Sequence, residues 1–276
     1  MQTVILISCP DQPGIVARFT GILYEAGANI LSLEQHVEEG EWFFMRIYAQ
    51  LGSAPELQSN LHELGSELQA NIQIHDPKKI LRVVILASKE EACPRELLIS
   101  RQSGVLQAEV AGLISNHPTM EALAQTYEVP FHHVSTVSGM KAAEKEMIKL
   151  LQKMQPDIVV LARYMKVLSP EFVAAFENRI INIHHGFLPA FKGNRPYHQA
   201  WDRGVKIIGA TAHYVTADLD DGPIIAQEVM PVSHQHSVED MIQAGQDIEK
   251  RVLLQAVQAF AQHKIILHRG RTILFH

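Results

Sequence analysis

The spacing of apolar residues divides the chain near residue 80. Before that point, strands alternate with amphipathic helices. Thr3–Ser8 is an apolar strand-like run, ended by Cys9-Pro10-Asp11-Gln12-Pro13-Gly14. A helix is expected next, because Ile15, Phe19, Ile22, Leu23 and Ala26 recur at three- and four-residue spacing. Asp11 is its expected N-cap, Pro13 suits a first turn that needs no N–H, and Gly27 stops it. Asn29–Val37 and Trp42–Gln50 read as two strands around the acidic turn Glu38-Glu39-Gly40-Glu41. A helix over Glu56–Gln69 carries Leu57, Leu61, Leu64 and Leu68 on one face, and Asn71–His75 is a closing strand. The order βαββαβ is the split ferredoxin-like pattern. The polar stretch Asp76–Lys79 is the expected link.

From Ile80 onward the apolar runs lose their alternation, as in strands covered on both faces. Leu81–Ala87, Val110–Ser115 and Ile158–Ala162 are such runs, with Phe131–Val134 a weaker one. Helical patterns intervene at Glu91–Arg101, Thr119–Tyr127 and Lys141–Met154. Further strands are expected at Ile180–His184, Ile207–Val215 and Ile224–Met230, and a long helix at Val238–Gln262. Alternating strands and helices define a Rossmann-like, doubly wound, mostly parallel sheet. The expected fold class is therefore α/β: a ferredoxin-like α+β domain over 1–78, then the doubly wound domain over 79–276.

The length of 276 residues fits two domains with proper cores. A net charge of −6 offers no basic footprint for nucleic acid or an anionic membrane. No apolar run approaches the ~18 residues a membrane helix needs. Val4–Ile7 is too short for a signal peptide and follows no positive charge, so a cytoplasmic location is expected. Cys9 and Cys93 form no framework and read as ordinary thiols. The 15 histidines are a large supply of groups that titrate near neutrality.

In open parallel sheets, ligands bind beyond the carboxyl ends of the strands. One such end is Asn182-Ile183-His184-His185-Gly186-Phe187-Leu188-Pro189. The two-residue period of a strand puts Asn182 and His184 on one face. A carboxamide can donate to a developing oxyanion, and an imidazole can move a proton. The second is Asp218-Leu219-Asp220-Asp221-Gly222-Pro223, a tight turn whose crowded carboxylates can orient an imidazole. Each motif alone is commonly a turn. Their pairing in one domain favours a site. His184, His185, His213 and Asp220 are also metal-ligand types, but no His-Glu-x-x-His or Cys-x-x-Cys spacing supports a metal. None is expected.

These segments, with Ala210-Thr211-Ala212-His213-Tyr214-Val215 and Met165-Lys166-Val167-Leu168-Ser169-Pro170, resemble the formyltransferase fold that uses 10-formyltetrahydrofolate. The resemblance covers Leu81 to Met230. The first 76 residues, with Asp11-Gln12-Pro13-Gly14 and Phe43-Phe44-Met45-Arg46, resemble an ACT domain. This pairing resembles the family that hydrolyses 10-formyltetrahydrofolate to formate and tetrahydrofolate, supplying purine synthesis. The resemblance implies a catalytic trio of Asn182, His184 and Asp220, with folate held by Met165, Lys166, Val167, Leu168 and His213. It implies no cofactor. It also implies amino-acid control, with glycine or methionine as effector near Asp11, Gly14 and Asn29, and a homo-oligomer, expected as a tetramer. Neither nucleic acid nor membrane is an expected partner.

The alternatives are a formyltransferase to a small amine and a non-catalytic folate- or amino-acid-binding regulator. Related transferases carry a glycine-rich phosphate loop after their first strand. Here Ala87-Ser88-Lys89-Glu90-Glu91 stands there, and its carboxylates repel phosphate. Water is the expected acceptor. Three positions depart from the family pattern: Gly186 replaces Ser, Ala92 replaces His, and Asn194 replaces Ala.

Overall fold

The computed structural model describes residues 1–38, 40–52, 56–191, 193 and 195–276. Glu39 of the acidic turn and Asn194 of the family comparison lie outside the described residues. The chain forms two units, 1–79 with 262–276, and 80–261.

The first unit contains β1 (Gln2–Pro10), α1 (Ile15–Glu25), β2 (Asn29–Glu38), β3 (Trp42–Gln50), α2 (Leu57–Glu67) and β4 (Asn71–His75). The strands form an antiparallel sheet in the order β2-β3-β1-β4. Alternation along β1 explains its unbroken apolar run. Ile5, Ile7 and Cys9 pack with Phe19 and Leu23 of α1 and Leu61 of α2, whereas Val4 and Leu6 face the other way. The expected Asp11 cap is not formed. Gly14 holds the N-cap position in the left-handed region with no side-chain cap, and Pro13 precedes the helix.

The second unit runs β5 (Leu81–Ala87), α3 (Ala92–Gln102), β6 (Ala108–Ser115), α4 (Glu121–Thr126), β7 (Phe131–His133), α5 (Met140–Met154) and β8 (Ile158–Leu161). It continues with α6 (Pro170–Ala175), β9 (Ile180–His184), α7 (Pro196–Asp202), β10 (Ile207–Tyr214), β11 (Ile224–Pro231) and α8 (Val238–Ala261). Its sheet order is β11-β10-β9-β8-β5-β6-β7. Pairing is parallel from β9 through β8 and β5 to β7, and antiparallel where β10 meets β9 and β11. On one face Val84 and Leu86 pack against Met147 and Leu151 of α5 and Phe172 of α6. Their alternates Val83 and Ile85 are also buried. Burial of both faces is why β5 reads as a continuous apolar run.

The short helices α6 and α7 were not expected from periodicity. Ser169 caps α6 by accepting the Phe172 N–H at 3.2 Å, with Pro170 in the first turn. The expected boundary at 79–276 is also corrected. After α8 the chain forms the hairpin β12 (Ile265–His268) and β13 (Arg271–Leu274) within the first unit. There Ile266 and Phe275 cover Val4, Leu6 and Phe44, and Arg46 donates to the carbonyls of Gln262 and His263. An apolar strand needs a cover on each face. This hairpin supplies the second.

Candidate active site

The strands β9 and β10 set the centre of the site. Asn182 and His184 share one face of β9, and the antiparallel register places His213 of β10 opposite Asn182. The turn after β10 brings Asp220 back onto them. Gly222 makes that return possible, because a Cβ at this position would overlap the Tyr214 carbonyl. Tyr214 in turn donates its N–H to the Pro223 carbonyl at 2.9 Å. Asp220 itself adopts a left-handed backbone with φ 52, a conformation that costs a non-glycine residue free energy and is concentrated at functional sites.

The proton inventory follows from the contacts. His213 donates Nδ1–H to the Tyr214 carbonyl at 2.8 Å, which leaves Nε2 to accept an N–H of the Asn182 carboxamide at 3.2 Å. Burial holds His213 below the ordinary imidazole value, against the pull of the Tyr214 bond and the Asp220 charge. Asn182 makes no other side-chain hydrogen bond among the described residues, so a second N–H is available to a ligand. The His184 ring has acceptors on both sides: Asp220 Oδ2 lies 3.3 Å from Nδ1, and the Phe191 carbonyl lies 3.2 Å from Nε2. Only the imidazolium satisfies both at once. Burial tends to raise the Asp220 carboxyl. The His184 hydrogen bond and charge, the Gly193 N–H at 3.2 Å and His213 outweigh that and hold it below its ordinary value.

These residues line one cavity of about 370 Å³ together with Met165, Lys166, Val167 and Leu168. Met165 and Val167 are 49% and 65% exposed and form an apolar rim. Ser88, at the carboxyl end of β5, fixes this rim. It donates to Asn116 Oδ1 at 2.7 Å and accepts the Met165 N–H at 3.0 Å. The loop after β9 is pinned by Thr211, which accepts the Leu188 N–H at 3.0 Å and donates to the Gly186 carbonyl at 2.9 Å. Gly186 leaves no spare room: a Cβ there would stand 2.9 Å from His184 Nε2.

Arg163 also lines this cavity and is paired with a buried carboxyl. Arg163 Nε lies 3.5 Å from Glu249 Oε2, and Tyr197 donates to Glu249 Oε1 at 2.8 Å. Gly245 on α8 is required there, because a Cβ would overlap the Tyr197 ring. Burial raises the Glu249 carboxyl while Arg163 opposes it. Ser88, Arg163 and Glu249 belong to none of the sequence motifs assigned to the site. Two signals could have found them: Ser88 and Arg163 fall just past strand ends, and Glu249 is a charge inside the apolar face of α8.

The remaining expectations lie elsewhere. Asp11, Gly14 and Asn29 are in the first unit, all exposed. Asp11 donates its backbone N–H to the Glu41 carbonyl, and Asn29 starts β2 opposite Gln50. Cys9 and Cys93 are buried free thiols, Cys9 pushed up to about 11 by burial and Cys93 raised further. Among the described residues, no group of three His, Cys, Asp or Glu could hold a metal ion. No described helix is long and apolar enough to cross a membrane.

The fold and this site define a formyl transferase-type enzyme preceded by an ACT domain. The pattern of the formyl transferase family matches residues 81–257, and that of the ACT domain residues 3–53. The chain is 43% identical to a formyltetrahydrofolate deformylase of Synechocystis, over 100% of this chain and 99% of that protein. The crystal structure of a formyltetrahydrofolate deformylase from Pseudomonas syringae superposes with a TM-score of 0.96 at 37% identity, covering 100% of this chain and 95% of that one. A glycinamide ribonucleotide transformylase from Symbiobacterium toebii reaches a TM-score of 0.70 at 30% identity, covering 75% of this chain and 98% of that one. The chain belongs to the formyltetrahydrofolate deformylase family.

Proposed function

We propose that the chain hydrolyses 10-formyltetrahydrofolate to formate and tetrahydrofolate, with Asn182, His184 and Asp220 as the catalytic groups. The observation that carries the mechanism is the His184–Asp220 contact at 3.3 Å beside Asn182 in one cavity. Water adds through an oxygen lone pair to the formyl carbon, and the carbonyl π pair moves onto oxygen. The Asn182 N–H and the His184 imidazolium stabilise that oxyanion. The water proton passes to Asp220. The oxyanion then re-forms its double bond, the C–N10 bond breaks, and His184 gives its proton to N10. Asp220 returns its proton to His184, and the formic acid ionises in solvent.

The apolar rim of Met165, Val167 and Leu168 suits a flat heterocycle, with His213 holding Asn182. No metal takes part in this scheme, so a chelator leaves the rate unchanged. The formate serves purine synthesis. The ACT unit binds glycine or methionine around Asp11, Gly14 and Asn29 and joins copies of the chain into a tetramer. The test is purified chain with 10-formyltetrahydrofolate in water alone, followed for both products. Formate release supports the reading. Release only when a small amine is added, as a formylated amine, would replace it with a transferase.

A further inference from the structure

A water that attacks a carbonyl directs a lone pair at carbon, so both of its hydrogens must go to acceptors. Few acceptors in the cavity are free. His213 Nε2 is taken by Asn182, both His184 nitrogens face acceptors, and Asp220 Oδ2 receives His184 and Gly193. Asp220 Oδ1, 3.8 Å from His213 Nε2, is one remaining acceptor. His185 is another. Its ring lies 5.5 Å from the His184 ring and 6.0 Å from that of Tyr197, centroid to centroid. Among the described residues neither of its nitrogens has a hydrogen-bond partner, and neither is sealed from water-sized space. His185 lines both the main cavity and a recess of about 10 Å³ beside Gly186 and Tyr197, roughly the space one water needs.

We propose that His185 accepts one hydrogen of the attacking water and holds it beside His184, while Asp220 Oδ1 takes the other. This rests on the hydrolase reading above. His185 orients the water and does not carry its proton. Burial, Arg163 and His184 push its value down to about 3, so the ring stays a neutral acceptor throughout the working pH range. The water's proton goes to Asp220, as in the scheme already given.

The experiment compares full-length wild type with His185→Phe, which keeps a ring without an acceptor, and His185→Gln, whose carbonyl can accept. The expected result for His185→Phe is a kcat lower by about 10²-fold. Its KM and the Kd for tetrahydrofolate stay within about twofold, and both limbs of the pH profile stay in place. His185→Gln recovers about tenfold of the loss. If the phenylalanine variant does not fold, His185→Leu takes its place. A His185→Phe kcat equal to wild type overturns the proposal, as does a loss shared equally by kcat and tetrahydrofolate affinity, or a shifted acid limb. A wild type that releases no formate refutes the hydrolase reading itself, whereas an active wild type with an equally active variant refutes only the role of His185.

Discussion

The Asp220 carboxylate stands 3.3 Å from Nδ1 of His184 through Oδ2. It is held ionised beside the ring, where its charge can stabilise positive charge that develops on the imidazole during the reaction. Asp220→Asn keeps the shape of the turn and removes the charge. We expect kcat to fall by about 10²–10⁴-fold with KM little changed, measured by formate release. A rate within tenfold of wild type would remove Asp220 from the mechanism.

The position of Asp220 depends on a glycine two residues further on, Gly222, which packs against the Tyr214 carbonyl. A backbone oxygen cannot step aside as a side-chain tip can. Gly222→Ala therefore displaces the turn, lowering stability by about 1–3 kcal/mol and activity about as far as Asp220→Asn does. Gly21→Ala is the control: no atom lies within 4 Å of its Cβ position in α1, so about 0.5–1 kcal/mol of stabilisation is expected there. Thermal unfolding and kcat read both. Full activity in Gly222→Ala would show that the turn does not position the carboxylate.

Much of this site was legible because it sits at strand ends. The period of two puts Asn182 and His184 on one face, and β9 does so. The resemblance implies Asp220 among three neighbouring carboxylates, and its contacts to His184, His213 and Gly193 place it at the site. The C-terminal hairpin was invisible for a different reason. Its partners Val4, Leu6 and Phe44 are more than two hundred residues away, and local periodicity carries no information on which segment covers a face. The Asp11 cap failed because the helix starts four residues later, where Gly14 turns the chain.

Buried neutral histidines make stability fall in acid. An unfolded chain protonates His185 below 6.5, whereas the folded chain resists until about 3. Its contribution is complete above pH 6.5 and is lost as pH falls from there toward 3. His213, also lowered, acts in the same direction. Each such group adds at most about 1.4 kcal/mol per pH unit to the slope. Glu249, raised by burial, acts in the opposite sense above pH 4.5. Urea unfolding of wild type and His185→Phe between pH 5 and 7 isolates the histidine. The variant is expected to show the shallower slope, and parallel slopes would mean that His185 charges in the folded state.

The Arg163–Glu249 pair gives the last prediction. Glu249 is almost fully buried, receives the Tyr197 hydroxyl at 2.8 Å and faces Arg163 at 3.5 Å. Removing one partner of a buried pair leaves an uncompensated charge and costs about 3–5 kcal/mol, whereas replacing both by apolar groups costs far less. The two single changes differ, however. Glu249→Leu strands a guanidinium that cannot lose its proton. Arg163→Met strands a carboxyl that burial already raises, so it escapes by taking up a proton. Arg163→Met should therefore be the milder single change, and milder at pH 5 than at pH 7, because a raised carboxyl loses stability as pH rises from 4.5 through its folded value. Urea unfolding of both singles and the double at the two pH values tests this. A cost for Arg163→Met that is the same at pH 5 and pH 7 would show that Glu249 stays ionised without its partner.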